Sequence, residues 1–236
     1  MTPASVRSIH FIPGTACDHR LWSRVVPLLR DYKISFGSYD EANSLTGMIN
    51  CVANGATSGG HLVGFSLGGY LAAEAIFAGK VKAQSLTLIG TSLPGLSDAE
   101  KSLRRANAST VANPSYKGMS GRRLAQFVNP ENLGNRSITD TITNMERDTS
   151  RNSLKNQLLA TIGRRDLRGL LQQLDIPIHL IGANGDTICD IAPMRELATY
   201  SNIQFSDIGA PVAITGHMMP LEAPQSLSDA MKSFFN

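Results

Sequence analysis

The sequence predicts an α/β protein: a mostly parallel sheet of about six strands flanked by helices, interrupted once by a helical insertion. Three observations carry this. Short apolar runs alternate with helix-like segments in both the first and last parts of the chain, the order that sandwiches a parallel sheet between helices. The third apolar run leads straight into Gly64-Phe65-Ser66-Leu67-Gly68, a glycine-flanked strand-to-helix turn. Between them, Gly95 to Leu174 holds no strand-like run, and about 80 residues is too long for a structureless loop in a compact domain.

The elements follow in order. Val6 to Ile12 reads as a strand ending in the turn Pro13-Gly14. Asp18 suits the N-cap of a helix running to Leu29, with Leu21, Val25, Leu28 and Leu29 on one face, and Trp22 should staple it to the sheet. Tyr32 to Tyr39 is a weaker strand, followed by a short helix near Leu45 to Ala53. His61 to Phe65 is the third strand and Leu67 to Ala78 an Ala-rich helix. Gln84 to Thr91, Ile176 to Gly182 and Asn202 to Ile208 complete the strands, with helices near Ala192 to Tyr200 and Leu221 to Phe235.

Composition narrows the class of function. A chain of 236 residues with 42% apolar and 17% charged residues is that of an ordinary globular domain. No run approaches the roughly 18 apolar residues of a membrane span, and the first residues carry no signal-peptide hydrophobic region. Cys17, Cys51 and Cys189 are widely spaced, without a C-x-x-C pair. Free thiols and a cytoplasmic location are expected. A net charge of +3 is too small to argue for nucleic acid. The expected partner is a small-molecule substrate, with no membrane or nucleic acid, in a monomer or homodimer.

The chemistry concentrates in three residues at strand ends, where open α/β sheets place ligands. G-x-S-x-G is the pattern of a nucleophile elbow, a turn that lifts the serine hydroxyl out of the sheet. It also leaves the N–H of the next residue, Leu67, free at a helix N-terminus to meet a developing oxyanion. Asp186 follows the fifth strand and His217 the sixth. The order Ser66, Asp186, His217 is that of a hydrolase triad with such an elbow. His217 would take the Ser66 proton, and Asp186 would hold the imidazole tautomer. Asp190 and Asp207 are alternative acids. His61 reads as a strand-end histidine packed on the core. His10, His19 and His179 have no metal-ligand spacing, so neither metal nor cofactor is expected.

Along nearly its whole length the chain resembles the α/β-hydrolase superfamily. Ile12-Pro-Gly14-Thr15 is similar to its oxyanion loop, with Pro13 where many members carry His, and Ile12 to Trp22 is close to a form found in small bacterial hydrolases. His61 to Gly69 resembles the elbow with its strand, Gly182-x-x-x-Asp186 the acid turn, and Gly216-His217-x-x-Pro220-Leu-Glu-x-Pro224 the histidine segment. The resemblance implies a second oxyanion donor at the N–H of Thr15. It also implies a core formed by 1–94 and 175–236, with 95–174 as a helical cap. About eight residues precede the oxyanion loop, so the two N-terminal strands usual in the superfamily are not expected. The link Asp207 to Gly216 is longer than usual.

From Asp98 to Arg168 there are thirteen Lys or Arg against seven Asp or Glu. Most should form a solvated face. Among them Arg104, Arg105, Arg122, Arg123, Arg147 and Arg151 are candidates to bind a substrate carboxylate, which guanidinium matches with two parallel hydrogen bonds. The expected activity is a serine hydrolase cleaving a small carboxylic ester, lactone or thioester through an acyl-enzyme. C–C bond hydrolysis or non-hydrolytic elimination on the same triad is the alternative chemistry. A slow-turnover ligand-binding receptor is the alternative of another class.

Overall fold

The computed structural model describes residues 7–209 and 215–235. Val6, at the start of the first expected strand, and residues 210–214 of the link into His217 lie outside them. Six strands, β1 (Ser8–Ile12), β2 (Lys33–Phe36), β3 (His61–Phe65), β4 (Ser85–Ile89), β5 (Ile178–Gly182) and β6 (Ile203–Asp207), form one sheet. Its order is β2-β1-β3-β4-β5-β6, and every neighbouring pair is parallel. The expected six-stranded parallel sheet is borne out.

The three central strands β3, β4 and β5 are buried at every residue, as parallel strands covered on both faces must be. Alternate side chains build two cores. Ile12, Leu62, Leu86, Leu88, Ile178 and Leu180 pack against α1 (Leu45–Gly55) and α2 (Leu67–Phe77). Ile9, Phe11, Val63, Phe65, Ile89 and Ile181 pack on the other face against Leu21, Trp22 and the last helix. Trp22 lies stacked on Phe11, ring centroids 4.3 Å apart, fixing the segment after β1 to the sheet.

That segment is not the expected continuous helix. Asp18 does cap, accepting from Arg20 N at 2.8 Å, but the chain forms two short 3-10 turns, His19–Trp22 and Val26–Leu28. Pro27 is the physical reason: it has no N–H to donate, and its ring crowds the preceding turn. The C-terminal helix is likewise divided, into α9 (Met219–Glu222) and α10 (Pro224–Phe235), with the break just ahead of Pro224.

Between β4 and β5 the chain is helical throughout its regular parts: α3 (Asp98–Ala112), α4 (Gly121–Phe127), α5 (Arg136–Asp148), α6 (Arg151–Ala160) and α7 (Arg168–Leu171). Serines open α3, α4 and α6 as N-caps, and Ser97 with Glu100 forms a reciprocal capping box. The remaining helix, α8 (Ala192–Leu197), joins β5 to β6.

Three buried histidines tie neighbouring strands together through serine hydroxyls. His10 Nδ1 meets Ser35 Oγ, His61 Nδ1 meets Ser85 Oγ, and His179 Nε2 meets Ser206 Oγ, each at 2.8 Å. The other ring nitrogen of each is buried without a partner, so a proton there has nothing to compensate it. Burial accordingly lowers each imidazole from 6.5 to about 4. These groups are neutral in the fold and charge on unfolding, so between pH 6.5 and 4 the unfolded chain binds more protons. Stability is therefore expected to fall as pH drops through that window, by up to about 3 kcal/mol per histidine. Urea denaturation at pH 7 and pH 4.5 checks this; equal midpoints would contradict it.

Candidate active site

Ser66 sits between β3 and α2 with φ 52° and ψ −117°, a left-handed conformation that costs a non-glycine residue about 1–3 kcal/mol. The surroundings impose it. Ser66 N–H donates to Ile89 O at 2.8 Å, and the Thr91 hydroxyl donates to Ser66 O at 3.2 Å. The flanking glycines allow the close approach: a Cβ on Gly64 would overlap Gly69 Cα, and one on Gly68 would overlap the Ile12 and Pro13 carbonyl oxygens. The strand therefore meets the helix at van der Waals distance, and the serine is forced outward. Leu67 opens the helix, so its N–H has no intrahelical acceptor.

The loop after β1 lies beside this turn. The Tyr39 hydroxyl holds it by donating to Pro13 O at 2.9 Å, and Cys17 N–H closes it on Gly14 O at 3.2 Å. Thr15 lines the same cavity as Ser66. Ala16 is forced to φ 56°, and its N–H donates to Gln157 Oε1 at 2.9 Å. Gln157 is a fully buried residue of α6 whose Nε2 donates to Asp40 at 3.0 Å and Ser153 at 3.2 Å. One amide thus ties the helical insertion to the loop next to the serine. Replacing Gln157 by Leu strands the Ala16 N–H, and a loss of about 1–3 kcal/mol is expected, measurable by urea denaturation.

His217 and Asp186 form a pair. The imidazole Nδ1 lies 2.7 Å from Asp186 Oδ2, both side chains being buried. Asp186 Oδ1 already accepts from the backbone N–H groups of Ile188 at 2.8 Å and Cys189 at 3.0 Å. Only Oδ2 is left to take the Nδ1 proton, which turns Nε2 into the free, accepting nitrogen. Phe65 and Phe127 flank the ring at 4.9 and 5.9 Å between centroids, and Met218 N–H donates to Phe127 O at 3.1 Å. The two alternative acids are engaged elsewhere. Asp190 Oδ1 accepts from Ala192 N, and Asp207 pairs with Arg195 at 2.7 Å.

Ser66, Thr15 and His217 all line one cavity of about 730 Å³, roofed by α3, α4 and α6. Of the six candidate arginines, Arg104 and Arg123 line it; Arg105, Arg122, Arg147 and Arg151 do not. Arg105 and Arg122 are exposed, each turned about 100° around its helix from the neighbouring cavity-lining arginine, of which Arg104 is half-buried and Arg123 exposed. Arg147 donates to Asn144 Oδ1 at 2.6 Å, and Arg151 reaches Asn113 O at 3.2 Å, so both are held on the outside. Arg164, outside that set of six, also lines the cavity. Its only sequence signal is the doublet Arg164-Arg165, which does not say which of the two turns inward. Among the described residues no group of His, Cys, Asp or Glu is placed to hold a metal ion. No helix among them is long and apolar enough to cross a membrane.

No protein-family model and no curated protein matches the sequence. Solved structures do match in three dimensions. A thermophilic esterase from Thermogutta terrifontis, with malate bound, superposes with a TM-score of 0.83 at 19% identity, over 97% of this chain and 89% of that one. A hydrolase from Pseudomonas aeruginosa PA01 does so at 0.80 and 19%, over 99% and 91%. An esterase from Exiguobacterium antarcticum follows at 0.74 and 15%, over 97% and 91%. The fold of this chain is the α/β-hydrolase fold.

Proposed function

We propose, from that fold and the residues gathered in its cavity, that this chain is a serine hydrolase of small carboxylic esters, acting through an acyl-enzyme. One observation carries the reading: Ser66, held at positive φ on a helix N-terminus, opens into the same cavity as a histidine already hydrogen-bonded to a buried aspartate.

In the proposed reaction Ser66 Oγ attacks the ester carbonyl while its proton passes to His217 Nε2. Asp186 keeps the Nδ1 proton in place and stabilises the imidazolium. The carbonyl oxygen becomes an oxyanion, met by the N–H groups of Leu67 and Thr15. Collapse breaks the C–O bond, and the alcohol leaves with the proton from His217. Water then repeats the sequence on the acyl-Ser66 ester and releases the acid. The segment 95–174 acts as a cap that supplies most of the pocket wall and excludes solvent.

The test is turnover with partitioning. Phenyl and 4-nitrophenyl butyrate share an acyl group, so a common acyl-enzyme gives both the same ratio of butyrate to methyl butyrate in dilute methanol. Different ratios, or no turnover of any short-chain aryl ester, would reject the reading.

A further inference from the structure

The cavity holds an electrostatic imbalance that the proposed triad leaves unexplained. Arg164 is 9% exposed, lines the cavity, and its guanidinium has no hydrogen-bonding partner among the described residues; its Nε is buried and unmatched. Arg104 lines the same wall from α3 and spends only one N–H, on the Thr161 hydroxyl at 2.9 Å. A buried guanidinium without an acceptor is rare because its desolvation goes uncompensated.

The nearby carboxylates do not resolve this. Glu100 spends Oε2 on its capping box, accepting from the Ser97 N–H at 2.8 Å and hydroxyl at 2.7 Å. Its charge favours both arginines, but it makes no hydrogen bond or ion pair with either among the described residues. Glu146 accepts the Tyr116 hydroxyl on one oxygen and Met119 N–H on the other. Burial lowers both Arg104, to about 10, and Arg164; the Arg164 and Arg123 cations lower Arg104 further, and the Glu100 carboxylate only partly offsets the shift at each. Arg164 is also firmly placed. Its neighbour Arg165 turns the opposite way and grips Glu74 of α2 through two bonds of 2.9 and 2.8 Å, while its N–H donates to the Tyr70 hydroxyl. That clamp anchors the backbone from which Arg164 enters the cavity.

We propose that Arg164 and Arg104 form a subsite for the free carboxylate of the substrate. The natural substrate is then an acidic ester: a half-ester of a dicarboxylic acid, or an ester whose alcohol part carries the carboxylate. A planar two-oxygen anion fits the two Nη groups of Arg164, which are free of hydrogen bonds among the described residues, with two parallel bonds, leaving Arg104 to complete the charge. The proposal rests on the ester-hydrolase reading for the scissile bond and on the two arginines for the rest.

Two matched substrate pairs test it: monomethyl adipate against methyl 5-carbamoylpentanoate, and 4-acetoxybenzoate against 4-acetoxybenzamide. In the wild-type protein at least one acid should exceed its amide at least about 100-fold in kcat/KM, the scale of a buried charge-assisted pair. That ratio should collapse at least tenfold in Arg164→Gln and in Arg104→Gln. Arg164→Lys, which keeps the charge without the fork, should fall between. Calorimetric titration with adipate gives a readout independent of turnover: binding to wild type, weakened in either Gln variant, with adipamide silent. Acid-to-amide ratios near one in both pairs, or adipate binding indifferent to both substitutions, would overturn the proposal. Inhibition by inorganic phosphate at lower concentration than adipate would overturn its assignment to carboxylates. If Arg164→Gln does not fold, the wild-type ratios and Arg104→Gln decide the matter. Neutral esters hydrolysed without acid preference would leave the hydrolase reading intact. Adipate bound without any ester turnover would remove the hydrolase reading alone.

Discussion

Ser66→Ala is expected to lower kcat on a working ester by about 10⁶-fold, the loss found when a serine nucleophile is removed from a triad. The magnitude follows from what remains. Without Oγ there is no acyl-enzyme, and His217 can only assist water in a site shaped around a different nucleophile. The residual rate, about 10³–10⁴ over the uncatalysed reaction, would come from oxyanion donors and binding. KM should move little, because the serine methylene stays and no wall of the cavity changes. Steady-state kinetics on extensively purified protein checks this. The fold should survive: the strain at φ 52° is imposed by backbone bonds and close-packed glycines, none of which uses the hydroxyl.

Asp186→Asn is expected to cost about 10⁴ in kcat, for a geometric reason. Asp186 Oδ1 is held by two backbone N–H groups, so in the variant the amide oxygen keeps that place and the NH₂ group faces His217. Nδ1 must then accept rather than donate, and the proton moves to Nε2, the nitrogen required to take the Ser66 proton. Full activity in Asp186→Asn would instead shift the acid role away from this residue. Neither Asp190 nor Asp207 contacts the imidazole to assume it, since one accepts from the Ala192 N–H and the other binds Arg195.

Much of this arrangement was legible in the residues, and the limits have physical causes. The central strands announce themselves because both faces are buried, which leaves runs such as His61–Phe65 and Ile178–Gly182 with few polar positions. The elbow is legible because only glycine tolerates the approach at positions 64 and 68. Ser66, Asp186 and His217 could be named because strand ends on a parallel sheet converge. The segment after β1 departs from the expected helix because an apolar spacing of three and four is equally compatible with consecutive 3-10 turns, and the single Pro27 decides against a continuous helix. The arginines were only partly legible. Arg104 and Arg105 are chemically alike, and their roles separate only through the angle at which α3 meets the cavity. Arg164 and Gln157 act through long-range placement, 98 and 91 positions beyond Ser66 in the numbering, and no local pattern encodes that.

The most direct test of the central claim is covalent labelling with an alkyl fluorophosphonate, read by intact mass and peptide mapping. A Ser66 activated by His217 and facing an oxyanion hole should take one phosphonyl group per chain, mapped to Ser66, with labelling abolished in Ser66→Ala and slowed sharply in Asp186→Asn. An unlabelled wild-type protein, or a label that persists in Ser66→Ala, would contradict the account.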